Sequence, residues 1–84
     1  MLKLLFFARL REDLGTSTEE LPLPADVTTV ASLRAHLMAR GGAWATVLAN
    51  GKALRVAVNQ EMADPATPIK AGDEVAFFPP VTGG

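Results

Sequence analysis

Residues 2–8, LKLLFFA, place apolar and aromatic side chains almost without interruption, which predicts a strand, and ARLREDLG at 8–15 predicts a short helical turn closed by Gly15. Between Thr18 and Leu23 the chain alternates Glu19, Leu21 and Leu23 against Glu20 and Pro22, so a brief second strand follows, which the proline confines to a sheet edge. Residues 26–40 carry Val30, Leu33, Leu37 and Met38 on one stripe, with Thr28 or Thr29 as N-cap and Gly41-Gly42 as the stop. This predicts the main helix, its apolar stripe interrupted at Arg34. AWATVLAN at 43–50 predicts another helical turn, ended by Asn50-Gly51, and RVAVN at 55–59 predicts a strand. Pro65 and Pro68 flank a loop that holds no predicted element between them. DEVAFF at 73–78, after a Gly72-Asp73 turn, is the last strand, and Pro79 and Pro80 end it by removing two ladder donors.

The order strand, strand, helix, strand, strand predicts an α+β fold of the β-grasp (ubiquitin-like) type, a mixed sheet with one main helix on one face. Residues 1–78 form that domain and 79–84 an extended C-terminal tail. Alternation across a strand forbids Phe6 and Phe7, or Phe77 and Phe78, from facing the same side. Lys3 shares parity with Leu5 and Phe7, and Glu74 with Ala76 and Phe78, so the polar residues mark Phe7 and Phe78 as the outward members. Leu2, Leu4, Phe6, Val75 and Phe77 then fill the core. With the first and last strands adjacent, Phe7 and Phe78 make an exposed apolar patch, the kind of surface that marks a partner site. The alternative is that residues 43–50 cover the pair as a second, minor core.

Composition narrows the chemistry. The 84 residues are 49% hydrophobic and 20% charged with a net charge of −1, a balance that folds but offers no basic surface for nucleic acid or an anionic membrane. The apolar run at the N-terminus is too short for a membrane span or a signal segment, which leaves the cytoplasm as the expected compartment. No cysteine is present, which removes thiolate nucleophiles and the usual zinc sites, and the single histidine, His36, leaves little for a metal cluster or a catalytic triad, so no metal or cofactor is expected on this chain. Side chains are poor candidates for a reacting group.

The tail is the remaining candidate. Pro79 and Pro80 favour extended backbone, and β-branched Val81 and Thr82 continue it. Six extended residues reach at most about 20 Å, enough to enter a neighbouring active site. Gly83 and Gly84 carry no Cβ, so a narrow channel admits the terminal carboxylate. Two terminal glycines alone also read as a frayed end. The stiff prolines and the aromatic pair at the tail's base favour the inserted tail.

GDEVAFFPPVTGG at 72–84, LFFARLREDLG at 5–15, TVASLRAHL at 29–37 and VAVNQ at 56–60 together resemble the ubiquitin-like sulfur-carrier family, and within it the small subunit of molybdopterin synthase. The resemblance spans the chain in order. It implies a non-catalytic, sulfur-donating subunit of a heterotetramer. An adenylyltransferase partner resembling the ubiquitin-activating enzymes would use ATP to adenylate the Gly84 carboxylate, which sulfur transfer then converts to a thiocarboxylate. Threaded on Gly83 into the large synthase subunit, this sulfur would pass to cyclic pyranopterin monophosphate. The resemblance also assigns Phe7, Met62 and Phe78 to the docking patch and Pro79, Pro80, Val81 and Thr82 to the partner-binding tail; the residue pattern by itself places Met62 only in a loop. The carrier for thiamine thiazole synthesis, a ubiquitin-like modifier and an inert binding domain are the alternatives.

Other residues carry less. His36 lies off the helix stripe and reads as solvated, and Trp44 reads as packing. Glu12-Asp13 and Glu19-Glu20 lack the apolar setting that tunes carboxylates for acid–base work. Gly41-Gly42 lacks the flanking strand and Gly-Lys-Ser/Thr of a phosphate loop. Arg11, Lys52, Arg55 and Lys70 are candidates for the rim of the partner surface.

Overall fold

A computed structural model describes residues 1–49 and 54–79. Its elements are β1 (Leu2–Phe6), α1 (Arg9–Leu14), β2 (Thr18–Leu21), α2 (Val30–Met38), α3 (Gly42–Val47), β3 (Arg55–Val58), β4 (Glu61–Ala63) and β5 (Glu74–Phe78). The five strands form one sheet in the order β2-β1-β5-β3-β4, with β1 and β5 parallel and every other pair antiparallel. The first and last strands are therefore central neighbours and β2 is an edge, as the β-grasp reading requires.

The pattern of four strands omits β4. Residues 59 and 60 also differ from expectation: Asn59 leaves the strand predicted at 55–59 and, with Gln60, makes a two-residue turn between Val58 and Glu61. Both take positive φ, 51° and 70°, the combination of a primed hairpin turn. The Asn-Gly and Asp-Gly signals usual for such turns are absent here, and three residues are too few for β4 to show its alternation. The Asn50-Gly51 turn expected after residues 43–50 lies outside the described residues.

The main helix is shorter than residues 26–40. Thr29 caps it through a capping box: its hydroxyl accepts from Ser32 N at 3.2 Å, and Ser32 Oγ accepts from Thr29 N at 2.9 Å. Val30, Leu33 and Leu37 point into the core, and Met38 packs beside them. They meet Leu2, Leu4, Phe6, Val56, Val58, Val75 and Phe77 from one face of the sheet. Phe6 and Phe77 stack there with centroids 5.6 Å apart. Leu10 of α1 and Leu48 beyond α3 close the ends of the same core.

Arg34, which interrupts the apolar stripe, donates from Nε to Leu48 O at 2.6 Å, so its charged end ties α2 to the chain leaving α3. Trp44, half-buried, packs its edge on Phe6 at 5.4 Å, the packing role expected of it. Arg40 lies over the Trp44 ring at 4.5 Å and grips both carboxylate oxygens of Glu19, one at 2.8 Å. His36 is half-buried on the helix flank rather than fully solvated. No described helix is long and apolar enough to cross a membrane.

The hydrogen bonds from Arg40 hold the Glu19 carboxyl below the ordinary glutamate range, which outweighs the opposing effect of partial burial. A folded-state value depressed below the unfolded one gives stability that is present at neutral pH and lost as pH falls through the folded value. We expect urea unfolding followed from about pH 7 to about pH 3 to show a shallower acid loss in Glu19→Gln than in the parent. The difference is of the order of 0.5 kcal/mol for a pair this accessible. Equal acid slopes would remove the pair from the account.

Candidate functional site

The sheet face opposite α2 is assembled from register. Leu5 pairs with Ala76, Ala76 with Ala57, and Ala57 with Met62, so one row crosses β1, β5, β3 and β4 on the same side. Small residues occupy the middle of the row and long ones its ends. One step further on, Phe7 N donates to Phe77 O at 3.2 Å, continuing the β1–β5 ladder and setting Phe7 beside Phe78. Their rings stack at 5.0 Å and within 7° of parallel. The result is a shallow cup of about 390 Å³ with Ala57 and Ala76 as floor and Leu5, Met62, Phe7 and Phe78 as walls.

Phe7 is 42% and Met62 63% exposed, while Phe6 and Phe77 are at most 1% exposed. The parity argument thus holds at all four phenylalanines. The alternative cover does not form: α3 contacts Phe6 through Trp44 on the opposite, buried face of the sheet. Met62 comes to the cup because of the hairpin turn at residues 59 and 60, a placement the residue pattern could not supply. A strict reading of alternation from Arg55 through Ala57, resumed after a two-residue turn, is the signal that would have found it.

Directly after Phe7, Ala8 takes φ 54° and ψ −128°, an uncommon conformation for a residue with a Cβ. This sharp change of direction lets Phe7 keep its outward position while the next residues turn into α1. Arg55, in register with Phe78, lies on the same outer face. Lys3 and Glu74 pair across β1 and β5 at the other end of the cup, where Gln60 and Glu74 supply its polar border.

Pro79 follows Phe78 directly and is half-buried. Pro80, Val81, Thr82, Gly83 and Gly84, and with them the rim candidate Lys52, lie outside the described residues. No group of three or more metal-ligating side chains occurs among the described residues. Glu12 and Asp13 are exposed on α1, and Asp13 lies 4.0 Å from Arg9. Glu19 is committed to Arg40. Nothing on the described surface assembles an acid–base pair. What the described residues offer is an apolar recess beside the strand that leads into 79–84.

Comparison with known proteins places this geometry. The model of the ThiS family matches residues 4–84. The molybdopterin synthase sulfur carrier subunit of Escherichia coli strain K12 is 51% identical over 84 residues, covering all of both chains. Among solved structures, SAMP1 (small archaeal modifier protein 1) of Haloferax volcanii superposes with a TM-score of 0.78 at 31% identity, covering 99% of this chain and 98% of that one. A protein–protein complex of subunits 1 and 2 of the molybdopterin-converting factor of Helicobacter pylori includes a chain that superposes with a TM-score of 0.63 at 25% identity, covering 99% and 97%.

Proposed function

This chain belongs to the ThiS family, and we propose that within it the protein is the sulfur-carrier small subunit of molybdopterin synthase. The observation that carries the reading is the 51% identity, over the full length of both chains, with a protein of that name. The exposed Phe7–Phe78 stack supports it, because it sits at the root of residues 79–84.

The reacting group is the Gly84 carboxyl. A free carboxylate is a poor electrophile, so an adenylating partner first joins it to the α-phosphate of ATP, releasing pyrophosphate. A sulfur nucleophile then attacks the acyl carbon and AMP leaves, producing a thiocarboxylate. Residues 79–84 enter the large subunit, and the sulfur passes to cyclic pyranopterin monophosphate as the acyl carbon takes up oxygen from water and returns to the carboxylate. Two such deliveries build the dithiolene. This chain supplies the Gly84 acyl group, the Cβ-free Gly83, the partner-binding segment Pro79, Pro80, Val81 and Thr82, and a body of residues 1–78 that presents them. Phe7, Met62 and Phe78 are the docking residues, offered in turn to the adenylating partner and the large subunit. A chain without cysteine cannot divert the carried sulfur into a disulfide.

Incubation with the adenylating partner, ATP and a sulfur donor should raise the intact mass by the exchange of one oxygen for one sulfur, and the product should convert cyclic pyranopterin monophosphate when the large subunit is added. Failure to acquire sulfur would overturn the reading. Delivery to the thiazole synthase of thiamine biosynthesis instead would move the chain to a sister branch. A second reading, attachment to protein lysines, is favoured by the likeness to SAMP1. Isopeptide-linked conjugates in cell extract would support it.

A further inference from the structure

Asp73 is the one buried charged side chain among the described residues, 7% exposed. A buried carboxylate is costly unless fully hydrogen-bonded, and the bonds that satisfy this one are directional. Its Oδ1 accepts from Asn59 Nδ2 at 3.0 Å and its Oδ2 from Lys70 N at 2.9 Å. Asn59 in turn accepts at Oδ1 from Glu74 N at 3.0 Å and donates its own N–H to Glu74 O at 2.8 Å. The backbone of Asp73 also accepts from Lys3 N at 3.0 Å, so the same residue joins β1. The turn between β3 and β4 is thereby clasped, by side chains, to the start of β5.

The turn itself does not require this. Positive φ at position 59 is met at least as well by glycine, which could not donate to Asp73. What the clasp adds is position. β4 is a three-residue edge strand held by β3 alone, and it carries Met62, one wall of the cup. Phe78 and Ala76 belong to β5. Gln60 and Glu74, the immediate neighbours of the clasped residues, form the cup's polar border.

Resting on the docking-face reading above, we propose that Asn59 and Asp73 are positioning residues: their hydrogen-bonded clasp sets the β3–β4 hairpin, and with it Met62, against the Phe7–Phe78 wall so that the cup is preformed for the large subunit. A preformed face spares the complex the cost of ordering it.

Three full-length variants test this by calorimetric titration with purified large subunit, well below each variant's melting temperature. Asn59→Gly keeps the turn and removes both side-chain bonds; it stays folded and binds about tenfold more weakly. Asn59→Asp sets two carboxylates face to face and weakens binding further. The double exchange Asn59→Asp with Asp73→Asn re-creates every bond with the charge on the other side: the amide introduced at position 73 donates to the carboxylate introduced at position 59, while its own oxygen accepts from Lys70 N. It restores binding to within about threefold of the parent. Parent-like affinity in folded Asn59→Gly, or a well-folded double exchange that fails to rescue, overturns the proposal. Phe78→Ala run beside them separates the two readings: weak binding there with normal binding in Asn59→Gly sinks the clasp alone, whereas normal binding in both sinks the docking face as well.

Discussion

Removing Gly83 and Gly84 is expected to leave the melting temperature where it was and to abolish both adenylation and sulfur delivery. Every buried apolar residue described lies at or before Phe77, so the truncation takes no packed side chain from the core. Among the described residues the sheet's last rung is at Phe78, the end of β5. The chemistry, by contrast, loses its substrate. A chain ending at Thr82 offers a carboxylate two residues short and on a branched residue, where the proposed reaction uses a Cβ-free terminus. Circular dichroism melting and pyrophosphate release, measured on the same preparations, read the two effects separately. A marked drop in melting temperature would make the segment structural, and sulfur delivery by the truncated chain would refute the role of Gly84.

The second large effect is a contrast between neighbours. Phe77→Ala empties a fully buried site stacked on Phe6 and costs about 3–5 kcal/mol. That is a large part of the roughly 5–15 kcal/mol that stabilises a domain. At about 4–8 °C per kcal/mol for a chain of this size, the melting temperature falls by at least about 12 °C. Phe78→Ala, one residue on, loses the stack on Phe7, about 0.5–1.5 kcal/mol, and the smaller area that a half-buried ring on the open face covers, so its stability cost stays below that of Phe77→Ala. Its cost appears in docking, about thirtyfold or more in affinity for the large subunit if Phe78 is an anchor of that interface. Calorimetry gives both numbers. Equal stability losses in the two variants would contradict the assignment of faces, and undiminished binding by Phe78→Ala would remove Phe78 from the interface.

The clasp and the cup extend this division of labour. Phe6 and Phe77 hold the sheet to α2, whereas Phe7 and Phe78 lie outside that core and stack on each other. Domains rarely leave such rings open without a partner to cover them. The cup's floor is low because Ala57 and Ala76 meet at the centre of the row, and larger residues there would fill it.

Composition and periodicity by themselves determined which chemistry this chain is suited to host and which faces of β1, β5 and α2 enter the core. A chain with no cysteine and one histidine has no side chain fit to carry sulfur, and period-two alternation separates Phe6 from Phe7 and Phe77 from Phe78 whatever the strands pair with. An N-cap at Thr28 or Thr29, the closing glycine after α1 and the edge position of β2 are equally local, because each follows from backbone geometry within a few residues. Pairing is not local. That β1 lies parallel to β5, that Ala57 stands opposite both Ala76 and Met62, and that Asn59 reaches Asp73 fourteen residues away depend on contacts between distant segments. A three-residue edge strand has no periodicity of its own to announce it. Only tertiary structure brought Met62 to the aromatic pair and bonded the buried Asp73 carboxylate to Asn59 in the β3–β4 turn, since hydrogen bonds and packing between strands act through space, and sequence order does not encode that distance.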